Sequence, residues 1–308
     1  MDQLNNHPLY RRHNIDSAMN SLWEFYKNHF FVLFITSLVM ALAIQYGTSM
    51  IDLKDLQATT DPLLLLEKVK DFMVPMLVLS LISLLFSAIL QYYIIYKPLD
   101  HEISIFTSAL KSLRFFVPYL ILMILLAFFG AIAIVLGLFA LVIGAFFAAI
   151  YVMTIFLFVL PVMMVEETNI LKTINRTFTL AHKNFWSNIG WVSVFLIIMI
   201  VISVILSAII MIPFSGSFLK TLTNPEAAAE IVNYTTNPVF IILSALISAL
   251  TMPLMPILAC ILYFHGKATE DIQDQIRNES QPDNDRVKVE DLYAKPYSDD
   301  HPDNPESK

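Results

Sequence analysis

Charge is scarce in this 308-residue chain. Only 15% of its residues are Asp, Glu, Lys or Arg, whereas a soluble domain of this length carries about a quarter. Hydrophobic residues make up 57% of the chain, and the mean hydropathy is +0.66. This composition excludes an ordinary soluble globular domain and predicts an integral membrane protein.

Cysteine and clusters of basic residues are scarce as well. Cys260 is the single cysteine, so an internal disulfide is excluded and nothing indicates an oxidising compartment. The net charge of −7 argues against nucleic acid as a partner, because phosphate contacts need clustered Lys and Arg.

The sequence also lacks the patterns that carry chemistry. It has no Ser-His-Asp order, no glycine-rich phosphate loop and no Cys-His cluster. His101, Glu102, Glu166, Glu167 and His182 fall near one predicted face of the membrane, but they lack the i, i+4 spacing of a helical zinc site. Solvated loop and helix-cap residues are the expected interpretation, so we expect no enzyme, no cofactor and no metal site.

Long apolar runs fill most of the chain. A membrane-spanning helix needs about 20 apolar residues, and six runs meet that length: about 30–50, 72–96, 115–137, 138–165, 189–214 and 239–264. None of these six cores contains Asp, Glu, Lys, Arg or His, which argues against an ion-driven carrier. The expected fold class is an all-α integral membrane protein with six transmembrane helices.

The polar ends of the chain predict its organisation and its topology. We expect a cytoplasmic leader with an amphipathic helix at 1–29, a membrane domain at 30–266, and an acidic disordered tail at 267–308. With the N-terminus inside, 15 of the 19 Lys and Arg residues lie on the cytoplasmic side and four lie outside. The positive-inside rule then places both termini in the cytoplasm.

The segment between the fourth and fifth spans combines apolar and basic residues. An apolar residue recurs every three to four positions, which predicts an amphipathic helix in the membrane interface. Lys172, Arg176 and Lys183 are expected on the opposite face, near lipid headgroups. Phe185 and Trp186 are typical of the aromatic belt. The stripe itself consists of Ile170, Ile174, Phe178, Ala181 and Phe185.

Similar stripes precede the first and third spans, at 15–26 and 103–113. A Lys-Asn pair recurs at 27–28 and at 183–184. These patterns predict three interfacial helices and three copies of one unit, at 15–97, 103–165 and 170–266.

Two prolines lie close together in the last span, in the sequence "MPLMP". Pro253 and Pro256 each remove a backbone donor and free a carbonyl. The functional interpretation is a hinge or a broken helix that lines a cavity. The alternative is a simple packing kink.

The stretch "LPVMMVEETNILKTINRTFTLAHKNFWSNIGWVSVFLII" resembles a bacterial membrane family, the membrane domain of glycerophosphoryl diester phosphodiesterases. The resemblance covers about residues 100–272 and implies six spans in a bacterial inner membrane. Catalysis in those enzymes belongs to a separate soluble barrel that begins with His-Arg-Gly. This chain has no His-Arg-Gly, so the resemblance transfers neither the activity nor a site residue.

Two functions remain open at this point. The first is a non-enzymatic membrane scaffold or assembly partner, with the lipid bilayer and other membrane proteins as its partners. The alternative is a permease-like or lipid-interacting protein with a cavity near the proline-kinked last span. The sequence does not determine an oligomeric state or a substrate. A cavity near Pro253 and Pro256 would favour the alternative.

Overall fold

Helices account for all the regular structure in the computed structural model, which describes residues 4–50, 62–139, 141–166, 169–214 and 237–280. The helices are α1 Ile15–Asn28, α2 Phe30–Ser49, α3 Pro62–Tyr96, α4 Ile105–Phe139, α5 Leu141–Glu166, α6 Ile170–Lys183, α7 Phe185–Met211, α8 Pro238–Thr251 and α9 Leu254–Ser280. Short 3-10 turns lie at Leu4–Asn6 and Ile212–Phe214.

The expected membrane architecture is confirmed at the level of helix number and type. Six stretches are long and apolar enough to cross a membrane: α2, most of α3, α4, most of α5, α7, and α8 together with α9. The structure therefore describes an all-helical, multi-pass membrane protein. The threefold repeat and the membrane-interface position of the short helices stay predictions.

Two short helices precede spans, but the third expected one does not exist separately. At the matching place, α4 runs unbroken from Ile105 to Phe139. The two short helices each end at a Lys-Asn pair. Helix α1 ends at Asn28, and α6 ends at Lys183, just before Asn184. Residues 111–115, "KSLRF", contain no Asn or Gly to end a helix there.

Local signals explain how α1 and α6 begin. The Asn14 side chain accepts from the Ser17 amide, and the Ser17 hydroxyl accepts from the Asn14 amide, which forms a capping box. The Asn169 side chain likewise accepts from the Lys172 amide. These caps satisfy amides that have no partner within the helix.

The chain contacts divide it into a first unit that ends at Ala268 and a second that begins at Thr269. Of the second unit, the structure describes the end of α9, through Ser280. Residues 267–280, expected to begin the disordered tail, are thus helical. No Gly or Pro lies between Lys267 and Ser280, and Pro282 is the first helix breaker. The rest of the predicted tail, 281–308, lies outside the described residues.

Within the first unit, the start of α9 is buried on every side. Residues 257–264 are all at most 3% exposed. The C-terminal ends of α3 and α5 and the first turns of α7 are also buried, and they belong to the same apolar core. We call these segments, together with α1, α6 and the start of α4, the packed half.

The remaining parts of α4, α5 and α7 form an exposed half. Large apolar side chains between 124 and 147, and between 197 and 212, are mostly exposed. Helix α4 ends at Phe139 and α5 begins at Leu141, whereas the sequence placed the boundary between these two spans at 137–138. A Cβ on Gly137 would lie 2.6 Å from the carbonyl oxygen of Gly144, so the close approach of the two helices requires glycine.

Candidate functional site

A cavity of about 320 Å³ opens among the membrane helices of the first unit. Its walls come from α2, α3, α4, α5 and α7, and from the junction of α8 with α9. The volume falls at the lower end of the range of about 300–1,000 Å³ that is typical of small-molecule sites. This cavity is the candidate functional site.

One face of α3 supplies a polar stripe to this cavity. Ser83, Ser87 and Gln91 are spaced by four residues, so they lie above one another on the helix, and all three line the cavity. Thr251 and Tyr119 add hydroxyl groups from α8 and α4. No charged side chain lines the cavity within the described part of the chain.

Methionine supplies much of the apolar wall. Met40, Met199, Met252 and Met255 come from four different segments and all line the cavity. Their side chains are unbranched and polarisable, so they adapt to ligands of differing shape. The wall therefore suits a flexible apolar ligand.

The last predicted span is broken at the cavity. Helix α8 ends at Thr251 and α9 begins at Leu254, so Met252 and Pro253 form a turn between them. Pro253 has no N–H to continue the helix, which explains the break at this position. The hydroxyl of Tyr26, on α1, donates to the carbonyl oxygen of Leu250 at 2.9 Å, next to this break. Burial raises the pKa of Tyr26 to about 12, so the hydroxyl keeps its proton and remains a donor.

Both prolines singled out from the sequence lie at this junction, in different surroundings. Pro256 lines the cavity, and its carbonyl oxygen accepts from the Gln91 side-chain amide at 3.3 Å. The same amide nitrogen lies 2.9 Å from the Cys260 sulfur. Pro253 is buried at the break and is not among the residues that line the cavity. Gln91 therefore connects the polar stripe of α3 to the proline segment of α9.

Tyr119 is the least satisfied polar residue of the site. Its side chain lines the cavity and is 0% exposed, and its hydroxyl has no hydrogen-bond partner among the described residues. A buried polar group without a partner costs about 1–3 kcal/mol. Sequence reasoning missed Tyr119, because a tyrosine within an apolar run gives no indication of where its hydroxyl points.

A second cavity, of about 260 Å³, lies between α4, α5 and α6. Two residues of the predicted interfacial helix, Ile174 and Phe178, line it together with Thr173 and Thr177. Phe178, in the predicted stripe, is 41% exposed to the surroundings of the protein, whereas Thr177 is 2% exposed. Helix α6 thus packs on the protein mainly with the face next to the predicted stripe, where Leu180 is buried as well, and the stripe residue Ala181 is also buried.

The other residues of that segment lie at the α6–α7 junction. Lys183 ends α6, and Phe185 and Trp186 begin α7, where Trp186 is 77% exposed. The ring of His182 stacks on Phe178 and on Phe185. The Asn188 amide donates to the carbonyls of Leu180 and Ala181 and so caps the end of α6.

The sequence placed Arg176 near lipid headgroups, but in the structure its side chain forms an ion pair within the protein. Its Nε lies 2.9 and 3.0 Å from the two carboxylate oxygens of Glu166, at the end of α5. The Tyr263 hydroxyl donates to the same carboxylate at 3.2 Å, and Lys267 lies 4.0 Å from it. Glu166, expected to be a solvated loop residue, therefore joins α5, α6 and α9.

The leader packs into the core in a way that its polar composition did not predict. His7 and Leu9 are each 2% exposed. Leu9 donates its amide to Nδ1 of His7, and Nε2 of His7 reaches the Ile94 carbonyl. The amide of His13 donates to Nδ1 of His265 at 3.0 Å. Burial lowers the pKa of His7 to about 4 and also lowers the pKa of His13.

Among the described residues, no group of three or more His, Cys, Asp or Glu side chains is placed to hold a metal ion. In comparisons with known proteins, no family model, no curated protein and no solved structure matches this chain.

Proposed function

We propose that this protein holds a small lipophilic molecule in the cavity beside the broken last span, and so acts as a lipid-interacting or permease-like membrane protein. The observation that carries the proposal is the cavity itself. It combines methionine walls with the polar stripe of α3, and Met252, in the turn between α8 and α9, lines one edge.

The scaffold function remains a second proposal, favoured by the size of the exposed half. The exposed apolar side chains between 124 and 147 fit contact with lipid and contact with another membrane protein equally well. A scaffold that uses these exposed side chains needs no cavity, however, and the polar lining of the cavity has no role in a scaffold. We therefore rank ligand binding first, and we propose a non-enzymatic role in either case.

We also propose the bacterial inner membrane as the location, with both termini in the cytoplasm. The charge distribution along the sequence supports this orientation, because most Lys and Arg residues fall in segments that would share one side. The resemblance to the bacterial membrane family supports the choice of membrane. Reporter fusions after Asp100 and Ala228 should read inside and outside, respectively.

Photolabelling tests the binding function. The full chain in lipid nanodiscs is exposed to an alkane that carries a diazirine, and labelled residues are mapped by mass spectrometry. We expect labels on Met40, Met199 and Met255. Ser87→Phe should fill the cavity and remove most of this labelling.

Ser80→Phe is the matched control. Ser80 is exposed on the same helix, two turns before Ser87, and its hydroxyl donates to the Met76 carbonyl. This variant should label like the wild type. Equal labelling of the cavity methionines in the Ser87→Phe protein would contradict ligand binding and leave the scaffold function.

A further inference from the structure

The chemistry of the cavity wall restricts what it can hold. The lining contains hydroxyl and amide groups but no charged side chain among the described residues. A charged molecule would lose its hydration in this cavity without gaining an opposite charge, which is costly in a medium of low dielectric constant. The occupant must therefore be uncharged.

Tyr119 adds a directional requirement. Tyr119 lines the cavity, and its buried hydroxyl has no partner in the described part of the chain. A tyrosine hydroxyl can donate one hydrogen bond, and a buried donor is normally paired in a folded protein. A ligand oxygen that accepts this bond would complete the pairing, and a pure hydrocarbon would not.

Two other polar side chains of the wall are already engaged. The Thr251 hydroxyl donates to the Ile247 and Ser248 carbonyls. The Gln91 amide nitrogen contacts the Pro256 carbonyl and the Cys260 sulfur. Gln91 thus connects α3 to α9, and Tyr119 is the lining residue whose fully buried hydroxyl has no partner among the described residues.

We propose that the cavity binds an uncharged, mostly hydrocarbon molecule that carries an ester or ether oxygen, and that the Tyr119 hydroxyl donates a hydrogen bond to that oxygen. This inference rests on the proposed function, because it names the ligand class of the same cavity. Tyr119 is the residue that selects an oxygen-bearing ligand over a plain alkane.

Competition against the diazirine alkane tests the inference in full-length protein in nanodiscs. The competitors are a long-chain methyl ester, an alkane of equal length and the corresponding fatty-acid anion. One neutral hydrogen bond should make the ester about five- to tenfold more effective than the alkane. The anion should be the weakest competitor.

Tyr119→Phe removes the hydroxyl and keeps the ring. In this variant the ester and the alkane should compete equally. Tyr93→Phe is the control, since Tyr93 is also buried but does not line the cavity, and it should keep the preference for the ester. A diacylglycerol is tested beside the methyl ester, and the better competitor identifies a membrane lipid or a free lipophile as the source of the ester.

The outcomes separate this inference from the proposed function. If the diazirine alkane labels the cavity and Ser87→Phe prevents it, binding stands. The ligand class is then overturned if the alkane or the anion matches the ester in the wild type, or if Tyr119→Phe keeps the preference. Absence of cavity labelling in the wild type would overturn binding itself.

Discussion

The packed half and the exposed half share the helices α4, α5 and α7, which have nearly the same residue types in both halves. Phe158, in the packed half of α5, is 0% exposed, while Phe146, three turns earlier on the same helix, is 67% exposed. What distinguishes the halves is their neighbours. The packed half gains α1, α6 and the start of α9, whereas the exposed half of α5 packs closely against α4. Stability in this protein should therefore be concentrated at one end of its membrane helices.

The largest expected effect compares the halves directly. Phe158→Ala removes a fully buried ring and should lower the free energy of unfolding by about 3–5 kcal/mol, because the surrounding core cannot close the space. Phe146→Ala should change it by less than about 0.5 kcal/mol. Thermal or denaturant unfolding of both variants in the same detergent provides the measurement. Equal losses would mean that the two halves are equally packed.

Acidification should weaken the packed half through its leader. The pKa of His7 is about 4 in the folded protein, below its ordinary value of 6.5, because the ring is buried. The unfolded chain therefore binds more protons between these values, and stability should fall by up to about 3 kcal/mol as the pH drops from 6.5 to 4.

A variant that does not titrate isolates this contribution. His7→Gln can still donate to Ile94 and accept from Leu9, but it gains no charge in this range. Its unfolding midpoint should depend less on pH between 6.5 and 4 than that of the wild type. Identical pH profiles would show that His7 is not buried on the core.

The Glu166 carboxylate should contribute less, because it is partly accessible. Glu166→Gln removes the charge that pairs with Arg176 and leaves Tyr263 with a weaker acceptor, so we expect a loss of about 2 kcal/mol. The exposed Glu102→Gln serves as the control and should have little effect. A double-mutant cycle with Arg176→Gln should show coupling, and additive losses would exclude the ion pair.

The smallest expected effect concerns the support of the helix break. Tyr26→Phe removes the hydrogen bond to the Leu250 carbonyl and should cost about 1 kcal/mol. Tyr46→Phe, at an exposed position on α2, should be neutral. Thermal or denaturant unfolding of both variants measures the difference between their free energies of unfolding. A neutral Tyr26→Phe would indicate that α1 does not support the break.

The six spans could be predicted from sequence because length and apolar content determine them. Pro253 and Pro256 marked the place where a hinge or a packing kink was expected, since a proline removes a backbone donor wherever it occurs. The Lys-Asn pairs marked the ends of α1 and α6, although the third surface helix expected by analogy is part of α4. Sequence features that act on the backbone therefore indicated where helices lie and where they end.

Which face of each helix is buried could not be predicted. A helix that is apolar all round carries no periodic signal, so the sequence does not separate Phe158 from Phe146. For polar residues, the sequence predicted exposure where the structure has burial or pairing. The leader and Glu166 looked solvated, yet His7 packs on the core and Glu166 pairs with Arg176. Such contacts depend on tertiary neighbours that lie far away along the chain.

An experimental density map of the full chain in lipid nanodiscs tests the central claim most directly. The account predicts a break at Met252 and Pro253, and non-protein density in the cavity within hydrogen-bonding reach of the Tyr119 hydroxyl. One continuous helix from Pro238 to Ala268, with side chains of neighbouring helices filling the space beside Ser87, would contradict it.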